Sequence, residues 1–309
     1  MISEFDSKAF RRALGNFATG VTVITAATAD GEKTGVTANS FNSVSLEPPL
    51  ILWSIDKRSN SYRIFEQASH FAVNILAANQ MDLSNHFARP RDDKFAGIRY
   101  DQGLGGAPLL PECAAQFQCE RYQIIDGGDH WILLGKVVAF ADAGRAPLLY
   151  VQGSYALSMP HTSLPGKEPK PTVMEAGLEN RLHHNLYYLM TQALRAYQED
   201  YQPRQLATGL RTSEARMLMV LERDRCLNLD ALSREVNMPV SAVEAAATIL
   251  QQQELIGCHE DMFALTARGT AQAESLWLIA QEEEERMFAG LSEQQLDDFR
   301  DMLKKLISR

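Results

Sequence analysis

Cysteine is scarce in this chain. Cys113, Cys119, Cys226 and Cys258 are the four in 309 residues, and no C-x-x-C pair occurs among them. That spacing argues against a zinc ribbon or a disulfide framework and for reduced, buried thiols. No apolar run approaches the ~18 residues that a membrane span requires. The opening MISEFDSKAF has no basic segment followed by an apolar core, so the expectation is a cytoplasmic protein with no membrane partner. Positive charge is short as well: 30 lysines and arginines face 39 acidic residues, a net charge of −9. A general binder of nucleic acid or anionic lipid is thereby disfavoured, although a local basic patch remains compatible with it. No HExxH accompanies His183-His184, whose side chains, as neighbours on a helix, point in different directions, so no metal is expected. Gly103, Gly105 and Gly106 do not join a strand to a helix within a βαβ unit, so they do not support a Rossmann fingerprint.

What is present is an ordinary globular composition, 45% apolar and 22% charged, over a length that suits two domains. Phe10, Leu14 and Phe17 are spaced for a helix over 6–18, capped by Asp6 or Ser7 and packed on a sheet. Strands are expected over 21–27 and 34–38 around the Asp30-Gly31 turn, then over 50–55 and 70–76, with helices over 61–67 and 79–87. A second hairpin, 115–125 with 131–141, turns at Asp126-Gly127-Gly128-Asp129, and 148–154 adds an edge. Four prolines between Ser158 and Val173 mark a domain boundary. Helical periodicity follows over 178–197, with Leu182, Leu186, Leu189 and Leu194, and then over 213–222, 228–236 and 240–252. A small β-wing is expected over 255–266, turning at Glu260-Asp261, and two more helices by residue 309. The run Glu282 to Glu285 reads as a solvated helix face.

The stretch from Gly35 to Phe65 places two polar loops around a buried strand. Small hydroxyl and amide side chains leave backbone N–H groups accessible to a phosphate. Lys57 and Arg58 add positive charge, and Ser59 or Ser61 can cap the following helix. Spacing alone leaves two readings open: a cradle for a phosphorylated cofactor, or a solvated turn before a capped helix.

TGVTVIT at Thr19 to Thr25, GVTANSFNSVSLEPPL at Gly35 to Leu50 and GDHWILLGKV at Gly128 to Val137 resemble the flavin reductase family over about residues 8–156. These are the small components that supply reduced flavin to two-component monooxygenases. The tail, with LMTQALRAYQEDYQP and RTSEARMLMVLE, resembles that of reductase components of 4-hydroxyphenylacetate-type hydroxylases. Its helix order resembles a winged-helix domain of the MarR type, whose outer helices dimerise.

The resemblance implies an α+β chain: an FMN-binding split β-barrel of mostly antiparallel strands over 1–157, a Pro-rich linker over 158–175, and an all-α winged-helix domain over 176–309. It also implies a homodimer with each flavin near the subunit interface, FMN or else FAD as cofactor, NADH as co-substrate, and a separate oxygenase as partner. Thr37, Ala38, Asn39 and Ser40, with Val44 and Ser45, are assigned by it to the flavin, and Ser54, Ile55, Asp56, Lys57, Ser59, Ser61 and Tyr62 to the opposite wall. Asn85, Phe87, Ala88 and Arg89 form a third segment, although Phe87 reads equally as a helix end in the core. His130 falls at the nicotinamide side, or simply caps its hairpin. Asn16, Thr19 and Tyr155 help shape the same pocket.

Hydride transfer needs no protein nucleophile, so the lack of a Ser/His/Asp arrangement is consistent with it. In the tail, the second helix of the turn motif, 240–252, carries Glu244 and no lysine or arginine. From Gly177 onward 14 basic residues face 21 acidic ones, which makes DNA binding the lesser use. A phenolic acid effector is expected there instead, with Arg181, His184, Tyr187, Tyr188 and Arg211 as candidate contacts. The alternative is a flavin-containing MarR-type regulator that binds DNA.

Overall fold

A computed structural model describes residues 6–91, 93–158 and 184–308. They form two compact units, one carrying 6–158 and the other most of 184–308. The proline-rich stretch read as a linker, apart from Ser158, lies outside the described residues, as do Leu178, Arg181, Leu182 and His183.

The first unit opens with α1 (Ser7–Leu14), whose Ala9 N–H donates to Asp6 Oδ1 at 3.0 Å. The capping expectation holds at Asp6, but the packing expectation does not: Phe10, Leu14 and Phe17 are 50%, 58% and 72% exposed. After β1 (Thr19–Gly20) come β2 (Thr22–Ala27), β3 (Lys33–Ala38), β4 (Asn42–Leu46) and β5 (Pro49–Asp56). Then follow α2 (Tyr62–Gln67), β6 (His70–Ile75), α3 (Met81–Ala88), the short pair β7 (Asp101–Gln102) and β8 (Pro108–Leu109), β9 (Ala115–Asp126), β10 (His130–Asp142), β11 (Leu148–Val151) and β12 (Ser154–Leu157). The sheet order is β3-β2-β6-β9-β10-β5-β4, antiparallel at every pairing, and β3 also contacts β5, so the sheet curls. A smaller sheet runs β1-β11-β12.

Two expectations change here. The polar stretch after Ala38 is not all loop, because β4 pairs with β5 through a bulge at Ser43/Ser45. Alternation is hidden there by small polar residues on both faces. The expected edge 148–154 is two strands, parted at Gln152 (φ 50°) and Gly153 (φ 84°).

Continuous burial along β2 explains its unbroken β-branched run, since both faces are covered. On one side Trp53 meets Phe65 edge-on at 4.7 Å, with Ile24, Phe71 and Leu133 around them. On the other, Val23, Leu76, Phe87, Phe95 and Leu110 pack together. Cys113 and Cys119 are buried in these cores, and burial pushes both thiols up to about 12. Cys226 and Cys258 are free but exposed, which corrects the expectation of four buried thiols. Native protein at pH 8 should therefore take up maleimide at Cys226 and Cys258 alone, with Cys113 and Cys119 labelled only after unfolding. Mass spectrometry of the labelled peptides checks this.

The second unit contains α4 (Leu186–Ala207), α5 (Thr212–Asp224), β13 (Leu227–Asn228), α6 (Leu229–Val236), α7 (Val240–Gln252), β14 (Ile256–His259), β15 (Met262–Leu265), α8 (Ala267–Met287) and α9 (Glu293–Ile307). Its first described helix runs on to Ala207, past the expected end at residue 197, and Leu186, Leu189 and Leu194 on it are exposed. A three-stranded sheet, β13-β15-β14, amends the all-α expectation. Glu260 and Asp261 both take positive φ, 49° and 62°, as a tight hairpin turn requires. Met217, Leu218, Leu221, Leu232, Leu250 and Leu276 are almost wholly buried. Among the described residues no helix is long and apolar enough to cross a membrane.

Candidate functional site

The sheet brings two distant turns together at one end. Antiparallel pairing of β5 with β10 sets Asp56 opposite His130, and the Lys57 N–H donates to the Asp129 carbonyl at 3.1 Å. Asp56 accepts from the Arg58 backbone N–H at 2.8 Å, from Nε at 3.1 Å and from Nη2 at 2.7 Å. This forked contact holds the Asp56 carboxyl well below its usual range. His130 Nδ1 lies 2.8 Å from Asp129 Oδ1, and that hydrogen bond lowers the Asp129 carboxyl. An ionised carboxylate only accepts, so Nδ1 carries the proton and Nε2 is left without a partner among the described residues.

Lys57 is more committed than its place in the sequence suggested. Its Nζ donates to Asp126 Oδ1 at 2.7 Å and sits 4.5 Å over the Trp131 ring, which stacks on Tyr62 at 5.5 Å. The serines after it are also engaged. Ser61 holds the N-cap position of α2 but makes no capping bond; it is buried, and its Oγ accepts from Thr34 Oγ1 at 2.9 Å. Ser59 Oγ accepts only a long 3.4 Å contact from the Ser61 N–H. The capped helix expected here is thus replaced by a core hydroxyl pair, because Thr34 on β3 lies within reach.

A second group forms where α3 meets β3 and β12. Thr37 Oγ1 donates to the Ser84 carbonyl at 2.6 Å, and the Tyr155 hydroxyl lies 2.8 Å from Ser84 Oγ and 2.9 Å from Asn85 Oδ1. Burial pushes the Tyr155 phenol up to about 12, so it stays a neutral hydroxyl. Strand register sets Thr19 opposite Tyr150 and Tyr150 opposite Tyr155, three side chains in one row. The Thr19 hydroxyl is buried without a partner among the described residues, and Asn16 Oδ1 accepts from Gln152 Nε2 at 3.1 Å. The Ala38 carbonyl accepts from Thr22 Oγ1 at 2.7 Å.

Ser40 lies between the two groups. Its Oγ accepts from the Ser54 N–H at 2.9 Å and donates to the Ser54 carbonyl at 3.1 Å, two positions beyond Asn42–Leu52, the outermost pair of β4 with β5 at that end. A side chain thereby replaces the missing strand neighbour. Ser40→Ala should cost about 1–3 kcal/mol by leaving that backbone pair unmet, read as a fall in the thermal midpoint of the ligand-free chain.

Several of the expected contacts do not line an open surface. Ile55 is 3% and Phe87 0% exposed; the Phe87 ring lies 5.2 Å from Phe95 in the core. A Cβ on Gly35 would lie 2.6 Å from the Phe87 ring, so the glycine is what lets β3 and α3 close together. Asn39, Val44 and Ala88 are exposed, and Ser45 and Arg89 are half-buried. Sequence reasoning missed Ser84, Asp126 and Trp131, and also Lys94, whose Nζ donates to the Gly35 and Phe87 carbonyls at 2.9 and 3.1 Å. Only the acidic Asp126-Gly-Gly-Asp129 turn beside a basic Lys57 hinted at any of these. In the second unit His184 and Tyr187 are exposed, and the Arg211 N–H donates to Glu214 Oε2 at the start of α5. Among the described residues no His, Cys, Asp and Glu group could hold a metal.

The first unit is thus a curled antiparallel sheet with polar side chains gathered at its turns. The flavin reductase like domain family matches residues 14–157. The reductase component of a flavin-dependent trigonelline monooxygenase from Acinetobacter baylyi is 50% identical over 158 residues, 50% of this chain and 51% of that protein. An FMN reductase (NADH), SmoA, from Agrobacterium fabrum is 43% identical over 150 residues, 48% of this chain and 85% of that one. The NADH:FAD oxidoreductase SgcE6 of Streptomyces globisporus C-1027 superposes with a TM-score of 0.48 at 34% identity, covering 52% of this chain and 99% of its own. The chain belongs to the flavin reductase family. It spans about half the length of the trigonelline relative and of a probable flavin reductase from Rhizobium meliloti.

Proposed function

We propose that the chain is an NADH:flavin oxidoreductase that passes reduced flavin to a separate aromatic hydroxylase, in the manner implied for 4-hydroxyphenylacetate-type systems. The observation that carries this is the polar row Thr19, Tyr150 and Tyr155, with a buried, partnerless Thr19 hydroxyl, in a domain of the flavin reductase family. The names of two relatives support it, one an NADH-dependent FMN reductase and one a monooxygenase reductase component.

A bound FMN, or FAD, supplies the hydride acceptor for NADH. Residues 37–45 and 54–62 are the segments that would hold it, with exposed Asn39 and half-buried Ser45 offering polar groups. His130 Nε2 is available to a carboxamide, while Asp129 fixes the ring through Nδ1. Tyr155, kept neutral by burial, orients Asn85. Their task is alignment and exclusion of water. Domain limits at 157 and 175, a split barrel, a homodimer and a cytoplasmic location complete the reading.

The C-terminal unit, read as a MarR-like winged helix, is then an effector-sensing module. A phenolic acid bound there relieves a brake on NADH oxidation. Its helix α7 carries no lysine or arginine, so it is poorly suited to a phosphate backbone. Purified chain with added FMN should oxidise NADH steadily and faster with a phenolic acid. Absence of NADH oxidation with either flavin, alongside salt-sensitive duplex binding, would favour the regulator reading instead.

A further inference from the structure

Lys94 carries a charge that the chemistry above does not use. It stands in the loop after α3, between Asp93, whose Oδ1 accepts from the Phe95 N–H at 2.8 Å, and Phe95, whose buried ring lies against Phe87. His86 Nε2 donates to the Lys94 carbonyl at 2.8 Å, so the loop is tied back onto α3. The ammonium is half-buried and meets no carboxylate among the described residues; burial lowers its pKa below the usual lysine range. Taking a cation out of water without an opposite charge is costly. A methionine of similar length would fill the same space without that cost, so the charge is explained by what it bonds.

Both of its acceptors are backbone carbonyls, and they belong to different elements. The Gly35 carbonyl, 2.9 Å away, lies on β3, the strand that ends the sheet order. The Phe87 carbonyl, 3.1 Å away, lies in the last turn of α3, where carbonyls lack an intrahelical donor and the helix dipole favours a cation. Thr37 Oγ1 and the Ser84 carbonyl make a second rung between the same strand and helix at 2.6 Å. Gly35 and Thr37 are about 7 Å apart along the strand, and Ser84 and Phe87 about 4.5 Å apart along the helix. Two rungs so spaced fix the rotation of α3 against β3 as well as its distance, which either alone would leave free. Asn85 lies on the helix between them.

We propose that Lys94 is a positioning residue for the flavin site: its ammonium bridges Gly35 and Phe87 and so holds Asn85 at a set distance and angle from the stretch Thr37 to Asn39. It acts through the main chain of these two segments and need not touch the ligand. The inference rests on the flavin reading of those segments and adds to it a residue that neither a loop position nor a motif marks out.

The test titrates FMN, or FAD where it binds more tightly, into the flavin-free full chain and follows flavin fluorescence, with the KM for flavin and for NADH measured beside it. Lys94→Met should weaken flavin binding about tenfold and raise the flavin KM in step. The KM for NADH should stay within about twofold, because the His130 turn is built by β5 and β10 and shares no bond with Lys94. Lys94→Arg, which keeps the charge and has donors for both carbonyls, should restore part of the loss. Circular dichroism shows which variants are folded at the assay temperature; if Lys94→Met is not, Lys94→Gln, with an amide donor but no charge, decides in its place. Flavin binding by the folded neutral variant as tight as that of the unaltered chain overturns the inference and leaves the flavin reading intact. So does a loss shared equally by flavin and NADH, which marks general loosening, and so does an arginine variant no better than the neutral one. An unaltered chain that retains neither FMN nor FAD removes the flavin reading, and this inference with it.

Discussion

Phe87→Ala should destabilise the first unit by about 3–5 kcal/mol, the cost of emptying a wholly buried aromatic position. The ring is fully enclosed, lies against Phe95 and fills the space that Gly35 leaves open, so no small rearrangement closes the void. Urea unfolding of the flavin-free chain measures it. The outcome separates two roles that the sequence left open. A side chain that only touched flavin would leave the flavin-free protein as stable as before and weaken flavin retention alone. Loss of stability without flavin, accompanied by weaker flavin retention because α3 also carries Ser84 and Asn85, is the expected pattern.

A chain ended at Ser158 should oxidise NADH about tenfold faster than the full chain without effector, and a phenolic acid should no longer change its rate. A tenfold brake corresponds to only about 1.4 kcal/mol of bias between two arrangements, well within what a ligand binding one of them more tightly can supply. The first unit has its own two cores and its strands pair with one another, so it is expected to fold when cut there. A truncated enzyme that stayed slow and still answered to the effector would exclude restraint by the C-terminal unit. One that was fast yet still stimulated would place the effector on the first unit.

Where side chains alternate or repeat cleanly, the sequence was readable. The 115–126 and 130–142 hairpin, the β2–β3 turn at Gly31, α7 and the β14–β15 turn all lie within two residues of their expected positions. The N-terminal helix was legible as a helix but not as an exposed one, because amphipathicity states which face is apolar and not whether anything within the same chain covers it. β4 escaped because Asn42, Ser43 and Ser45 look like loop and are strand only through the ladder that β5 provides.

Within the candidate site, residue types were easier to read than partners. Lys57 read as a positive charge in the turn after β5, yet its bond to Asp126 depends on two turns 69 residues apart, which spacing cannot report. Ser61 looked like a cap and is a core hydroxyl, for the same reason: Thr34 reaches it across the sheet. Ser40 read as a ligand-binding hydroxyl, whereas both of its hydrogen bonds go to the backbone of Ser54. Long-range pairing decides these cases, and a local pattern carries no record of it.

The β9–β10 ribbon has a consequence for affinity. Paired over most of its length and flanked on both sides by further strands, it should hold the slowest-exchanging amides of the first unit. His130 and Trp131 are mounted at its turn end, so under the proposed function the groups they present are already in position before a ligand arrives. On the proposed reading, little ordering entropy is then lost when a ligand binds there.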